Sequence, residues 1–171
     1  MIWFTSDYHL SHKNIIEYCN RPFENVQVMD RTIVSNLERK LEPGDTLYFL
    51  GDLSFDINIA LHFFKKFKDI QIHFIIGNHD STKILEIAYK FCATVSNLKV
   101  IKIKRQMITL CHYPIRFDND NHNFWCLHGH SHGKRAQKER EYDVSADNND
   151  FLPLSYHELT EIMRKSEYNI V

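Results

Sequence analysis

Ile70-Gln71-Ile72-His73-Phe74-Ile75-Ile76-Gly77-Asn78-His79-Asp80 is an apolar run broken off by a glycine and a polar cluster. The run reads as a buried strand, and Gly77-Asn78-His79-Asp80 marks its C-terminal end. The same arrangement recurs along the chain. Ile2 to Ser6 leads to Asp7 and His9, Thr46 to Leu50 to Gly51-Asp52, Met107 to Cys111 to His112, and Phe124 to Leu127 to Gly129-His130-Ser131-His132. Open α/β sheets carry their active sites outside the carboxyl ends of the strands, so these ends can deliver carboxylate, amide and imidazole groups to one place. Such a set is metal chemistry. Carboxylates with neutral imidazoles suit manganese, iron, zinc or related divalent ions, whereas thiolates select softer ones. A lone histidine beside a strand is more often a satisfied polar residue, and an isolated Asp-x-His more often an Asx-type turn. The weight therefore rests on order and joint occurrence.

Between these runs the spacing becomes helical. Ser11 is expected to cap a helix from His12 to about Tyr18. Val28, Ile33, Val34, Leu37 and Leu41 keep helical spacing up to the turn Pro43-Gly44-Asp45, and Ile57 to Phe67 is amphipathic through Ile57, Ala60, Leu61, Phe64 and Phe67. Ser81 or Thr82 caps a helix through Ile84, Leu85, Ile87 and Ala88. Leu98 to Ile103 and Met107 to Cys111 read as a hairpin about Lys104 to Gln106. Asp118 to Asn123 is a polar loop, Tyr142 to Ala146 a final strand, and Ser155 with Glu158 a capping box for a closing helix. Strands alternating with helices early and a hairpin later predict mixed sheets covered by helices.

The 171 residues, 43% hydrophobic, support one well-buried core, so a single domain over 1–171 is expected. A net charge of -1 supplies no field to hold a polyanion, which argues against a nucleic-acid enzyme. The basic runs Lys99 to Arg105 and Lys134 to Arg140 read as a solvated hairpin and a solvated loop. Cys19, Cys92, Cys111 and Cys126 form no C-x-x-C pair, so neither a zinc ribbon nor a redox dithiol is suggested; Cys111 and Cys126 sit in apolar runs as small hydrophobes. The N-terminal stretch lacks the features of a signal peptide and no apolar run approaches spanning length, so a cytoplasmic protein without a membrane partner is expected.

Asp-x-His, Gly-Asp, Gly-Asn-His-Asp, His and Gly-His-x-His, in that order, resemble the calcineurin-like metallophosphoesterase superfamily, in particular its small stand-alone bacterial and phage members. The likeness runs from Met1 to about Pro153-Leu154 and extends to Phe4-Thr5-Ser6-Asp7, the helix start His12-Lys13-Asn14-Ile15-Ile16, Arg21-Pro22-Phe23 and His112-Tyr113-Pro114. It implies an α/β fold of two packed mixed β-sheets flanked by helices. It also implies two divalent metal ions, manganese first, with iron, zinc, nickel or magnesium as alternatives. By the same resemblance Asp7, His9, Asp52 and His132 hold one ion and Asp52, Asn78, His112 and His130 the other, with Asp52 as the shared bridge.

The implied reaction is hydrolysis of small phosphodiesters or phosphomonoesters, nucleotides and cyclic nucleotides among them, by a metal-bridging hydroxide. His79 is the expected acid for the leaving oxygen, with Asp80 orienting its ring. His12 and Arg21 follow Asp7 closely and are expected to contact the substrate phosphate, which a guanidinium matches in bidentate fashion. Two alternatives stand beside this one. A nuclease-like phosphodiesterase would use Lys134 to Arg140 on a phosphate backbone, and a nonenzymatic interaction module would keep the fold without turnover, which the intact ligand set disfavours. His62, His73 and His157 are read as surface or packing residues, and His122 and His128 are left without a role. The oligomeric state is not legible.

Overall fold

The computed structural model describes residues 1–115, 124–136, 138 and 140–168. The expected loop Asp118 to Asn123, His122 with it, and Gln137 and Glu139 of the basic segment lie outside the described residues.

Two mixed sheets make the framework. In the first, β1 (Ile2–Thr5), β2 (Thr46–Phe49), β3 (Gln71–Ile75) and β4 (Thr94–Ser96) are parallel, and the two-residue β9 (Leu154–Ser155) pairs antiparallel with β1, giving the order β4-β3-β2-β1-β9. In the second, β5 (Leu98–Ile103) and β6 (Gln106–Cys111) form the expected hairpin, and β7 (Phe124–His128) and β8 (Glu141–Asp143) run parallel to β6 in the order β5-β6-β7-β8. The ends of β1, β2 and β3 are neighbours in one sheet, and those of β6 and β7 in the other. The five polar clusters thus reach one edge of the framework.

Alternation along the parallel strands serves two cores, because successive side chains point to opposite faces. Trp3, Leu47, Phe49, Ile72 and Phe74 pack against α2 (Val26–Lys40), α3 (Ile57–Lys66) and α4 (Thr82–Phe91), while Phe4, Tyr48, Leu50 and Ile75 meet Ile108, Leu110, Trp125 and Leu127 of the second sheet. α5 (Tyr156–Tyr168) closes the inter-sheet core with Leu159 and Met163. Its capping box forms as read: Glu158 N–H donates to Ser155 Oγ at 3.2 Å, and the Glu158 carboxylate accepts from Ser155 N–H at 2.8 Å.

Several local readings change. The first helix is only α1 (Ile15–Tyr18), without a side-chain cap at Asn14, because Ser11 is left-handed at φ 66° and gives its N–H to the Asp30 carboxylate at 2.9 Å. Tyr142 to Ala146 is not one strand: β8 stops at Asp143 and Ala146–Asn148 coils into a 3₁₀ turn held by Asn148 and Asn149 side chains on the Asp143 carbonyl. Phe63, not singled out in the sequence, is buried in α3 beside Phe64, and also meets Phe49, Phe67 and Tyr8. None of the described helices is long and apolar enough to cross a membrane.

Phe49 is fully buried, stacked on Phe74 and in edge contact with Tyr8 and Phe63. Phe49→Ala is expected to cost about 3 to 5 kcal/mol in urea unfolding, against about 0.5 kcal/mol or less for Val100→Ala on the exposed side of β5.

Candidate metal centre

The loops after β1 and β2 run side by side. Asp7 N–H donates to the Gly51 carbonyl at 2.9 Å, His9 N–H to Asp52 at 3.0 Å and Leu10 N–H to Leu53 at 2.9 Å. Within them Asp7, His9 and Asp52 are left-handed, at φ 57°, 50° and 59°, and so are His130 and His132 after β7, at 65° and 48°. Non-glycine residues adopt this region at a cost, and such strain gathers where surrounding structure must hold a side chain in one direction. Here it turns five candidate ligands inward.

The side chains then meet. His9 Nε2 lies 3.8 Å from Asp7 Oδ1 and 3.5 Å from Asp52 Oδ2, and His132 Nε2 lies 3.6 Å from Asp7 Oδ1. On the far side of the same Asp52 Oδ2, His112 Nε2 is also 3.5 Å away. Asn78 Oδ1 is 2.9 Å from both His112 Nε2 and His130 Nδ1. Two groups with metal-ligand spacing, Asp7-His9-His132 and Asp7-Asp52-His112, therefore share a carboxylate neighbourhood. The single oxygen Asp52 Oδ2 faces both halves. Its partner Oδ1 accepts the His79 N–H at 2.8 Å.

The electrostatics suit a cation. Asp7 and Asp52 are buried, and so are His9 and His112. Burial, with Asp52 nearby and despite His132 and the Ser6 hydroxyl, pushes the Asp7 carboxyl up to about 8. Burial first, then the neighbouring His132 and Arg21, pulls the His9 imidazole down to about 2. Both nitrogens of His9 are enclosed and without a hydrogen-bond partner among the described residues. His112 Nδ1 donates to the Leu50 carbonyl at 2.7 Å, which leaves Nε2 facing the oxygen of Asn78 at 2.9 Å. Buried acceptors facing one another, with an orphaned imidazole between two carboxylates, are costly in protein alone and are relieved by a bound divalent ion.

Supporting residues depart from the sequence reading at Arg21 and Asp80. Arg21 does not face the site opening. Its guanidinium is buried, donating to both Asp147 oxygens at 2.8 Å, to the Tyr8 carbonyl at 2.9 Å and to the Asp7 carbonyl at 2.7 Å, which leaves nothing for a substrate phosphate. Asp80 does not touch the His79 ring. Its carboxylate accepts the N–H groups of Asp52, Leu53 and Gly77 at 2.9, 3.1 and 2.8 Å and so pins the loop carrying Asp52. His130-Ser131-His132 is not extended, since its left-handed residues send His130 to Asn78 and His132 to Asp7. His12 lies at the margin against Phe55, and His79 is exposed there too.

Asp147 was missed. It accepts from His132 Nδ1 at 2.6 Å, which leaves Nε2 for the centre, and it neutralises Arg21. Burial opposes its charge, but the His132 and Arg21 hydrogen bonds hold its carboxyl below the usual range. The available signal was Asp147-Asn148-Asn149-Asp150, a further polar cluster directly behind the expected strand Tyr142 to Ala146. Two glycines are set by close approach. A Cβ on Gly129 would collide with Asp7 Oδ2 and Ser6 Oγ, and one on Gly77 with Asp52 Oδ1 and its backbone N.

The sequence model of the family described as calcineurin-like phosphoesterase matches residues 1–168. An uncharacterized protein of Methanocaldococcus jannaschii is 31% identical over 179 residues, covering 97% of this chain and 93% of that protein. The gene 66 protein of Mycobacterium phage L5 is 26% identical over 159 residues, 76% of each chain. Among solved structures, a protein of unknown function from Aquifex aeolicus superposes with a TM-score of 0.76 at 26% identity, covering 95% of this chain and 98% of that one.

Asp147→Asn keeps an acceptor beside His132 but leaves the Arg21 charge uncompensated. It is expected to weaken manganese binding by about 10- to 100-fold in calorimetric titration and to lower the melting temperature.

Proposed function

Because the chain belongs to the calcineurin-like phosphoesterase family, we propose that it is a binuclear-metal-dependent phosphoesterase acting on small phosphodiesters or phosphomonoesters. The observation that carries this is Asp52 Oδ2, 3.5 Å from an imidazole of each half of the centre. Asp7, His9, Asp52 and His132 would hold one ion, and Asp52, Asn78, His112 and His130 the other, with manganese the first candidate. Such ions, when bound, supply Lewis-acid polarisation of the phosphoryl oxygens and a water acidified enough to attack near neutral pH.

The chain's own groups do the rest. Asp147 and the Leu50 carbonyl fix the proton on Nδ1 of His132 and His112, so each presents Nε2 to the centre. Asp80 fixes the Asp52 loop from behind. His79 is tethered to Asp52 Oδ1 through its backbone, while its exposed ring lies 5.4 Å from that of His9. It can take a proton from solvent and deliver it to the departing oxygen. His12, 5.7 Å from His9 between ring centres, is a candidate substrate contact.

A nucleic-acid substrate gains little from the basic segment. Lys134 Nζ is spent on the Tyr18 carbonyl at 2.7 Å and Arg135 pairs with Glu141 at 3.1 Å.

With manganese, hydrolysis of p-nitrophenyl phosphate or bis-p-nitrophenyl phosphate is expected, abolished by chelation and nearly absent in Asp52→Asn; activity indifferent to the chelator would sink the reading. His79→Ala is expected to keep its metals while slowing esters with poor leaving groups by roughly a hundredfold, and activated nitrophenyl esters less. Equal losses for both would remove His79 from the acid role.

A further inference from the structure

Three large side chains stay open to solvent beside this polar centre: Phe55 at 46% exposure, Tyr113 at 47% and Tyr18 at 61%. One exposed ring is ordinary, but several around one site mark a surface that expects apolar contact. Each touches a histidine of the site. Tyr113 lies 4.8 Å from His130 and 5.2 Å from His112 between ring centres, and Tyr18 lies 6.1 Å from His12. Phe55 is the hub, 4.2 Å from His12, 5.2 Å from His79 and 5.8 Å from His9.

The Phe55 backbone is also anchored. Its N–H donates to the Leu10 carbonyl at 3.0 Å, Ser54 Oγ donates to the same carbonyl at 3.0 Å, and Asp56 caps α3 by accepting the N–H groups of Asn58 and Ile59. A ring carried on a backbone fixed on both sides has less freedom to lose when a ligand lands on it.

We propose that Tyr18, His12 and Phe55 form a stacking wall for the planar base of a mononucleotide, with Phe55 its principal element; this rests on the phosphoesterase reading and names its substrate class. His79 stands at the leaving-group end of that reading, and the wall begins beside it. A ring bonded directly to the ester oxygen would rest against His79 itself. Phe55 lies beside it, 5.2 Å away between ring centres, where a base carried on a ribose beyond the ester oxygen reaches its ring. Stacking reads the face of a base and not its edge, so the wall selects for the presence of a base over its identity.

The test compares adenosine 5′-monophosphate with ribose 5-phosphate, which differ only in the base, on the manganese-loaded protein. The ratio of their kcat/KM values is expected to be about tenfold or more in favour of the nucleotide. It should collapse toward one in Phe55→Leu, which keeps the apolar contact with His12 but loses the ring face, and be retained in Phe55→Tyr. A ratio near one in the unaltered protein, or one that Phe55→Leu leaves unchanged, overturns the wall and leaves the phosphoesterase reading standing. Saturation-transfer NMR with adenosine reads the wall without turnover. Base signals that vanish in Phe55→Leu support it even if neither monoester is cleaved, and their absence in the unaltered protein overturns it.

Discussion

The two oxygens of Asp52 have different tasks, and the arrangement of the centre follows from that division. Oδ1 accepts the His79 N–H and is thereby fixed, while Oδ2 is left facing His9 on one side and His112 on the other. Those histidines come from the ends of strands in different sheets. The packing of Phe4, Leu50 and Ile75 against Ile108, Leu110 and Leu127 is therefore what sets the spacing across the centre. The inter-sheet core and the candidate site are one mechanical unit.

Much of this was legible in the sequence because two signals coincide at each strand end. An apolar run short enough for a strand gives the element, and the Asp, Asn or His right behind it, preceded by glycine at Gly51, Gly77 and Gly129, gives its terminus. The two mixed sheets followed from the family resemblance, and the capping box at Ser155 and Glu158 from local chemistry alone. β4 and β9 did not, since three and two residues carry too little periodicity to register. The turn at His130 to His132 does not register either. Its left-handed residues go with the His130 N–H donating to the Asp7 carboxylate and with Gly129 lying against Asp7 and Ser6, contacts between residues far apart in the chain.

Arg21 shows a different kind of illegibility. A guanidinium just after a ligand loop is chemically apt for phosphate, and nothing in its neighbours contradicts that. Its true partner, Asp147, lies 126 residues away. Buried, fully hydrogen-bonded ion pairs of this sort contribute little net stability, but losing one partner leaves a stranded charge. The pair earns its place by geometry: one guanidinium spans the Asp7 and Tyr8 carbonyls, and its counter-ion orients His132. A loop that must hold left-handed residues in place is clamped from behind by a group with enough donors to do so.

The same logic explains why the polar interior and the aromatic rim sit side by side. Charges interact more strongly where water is excluded, and the Phe55 ring packed on His9, His12 and His79 covers part of the centre. Rings serving only as a shield would be most stable when covered. Phe55 instead keeps nearly half of its surface open while its backbone is fixed on both sides, so the shield is also a surface prepared for contact. A bound planar group would complete the cover that the chain leaves open, and drying of the centre would then accompany arrival of the substrate.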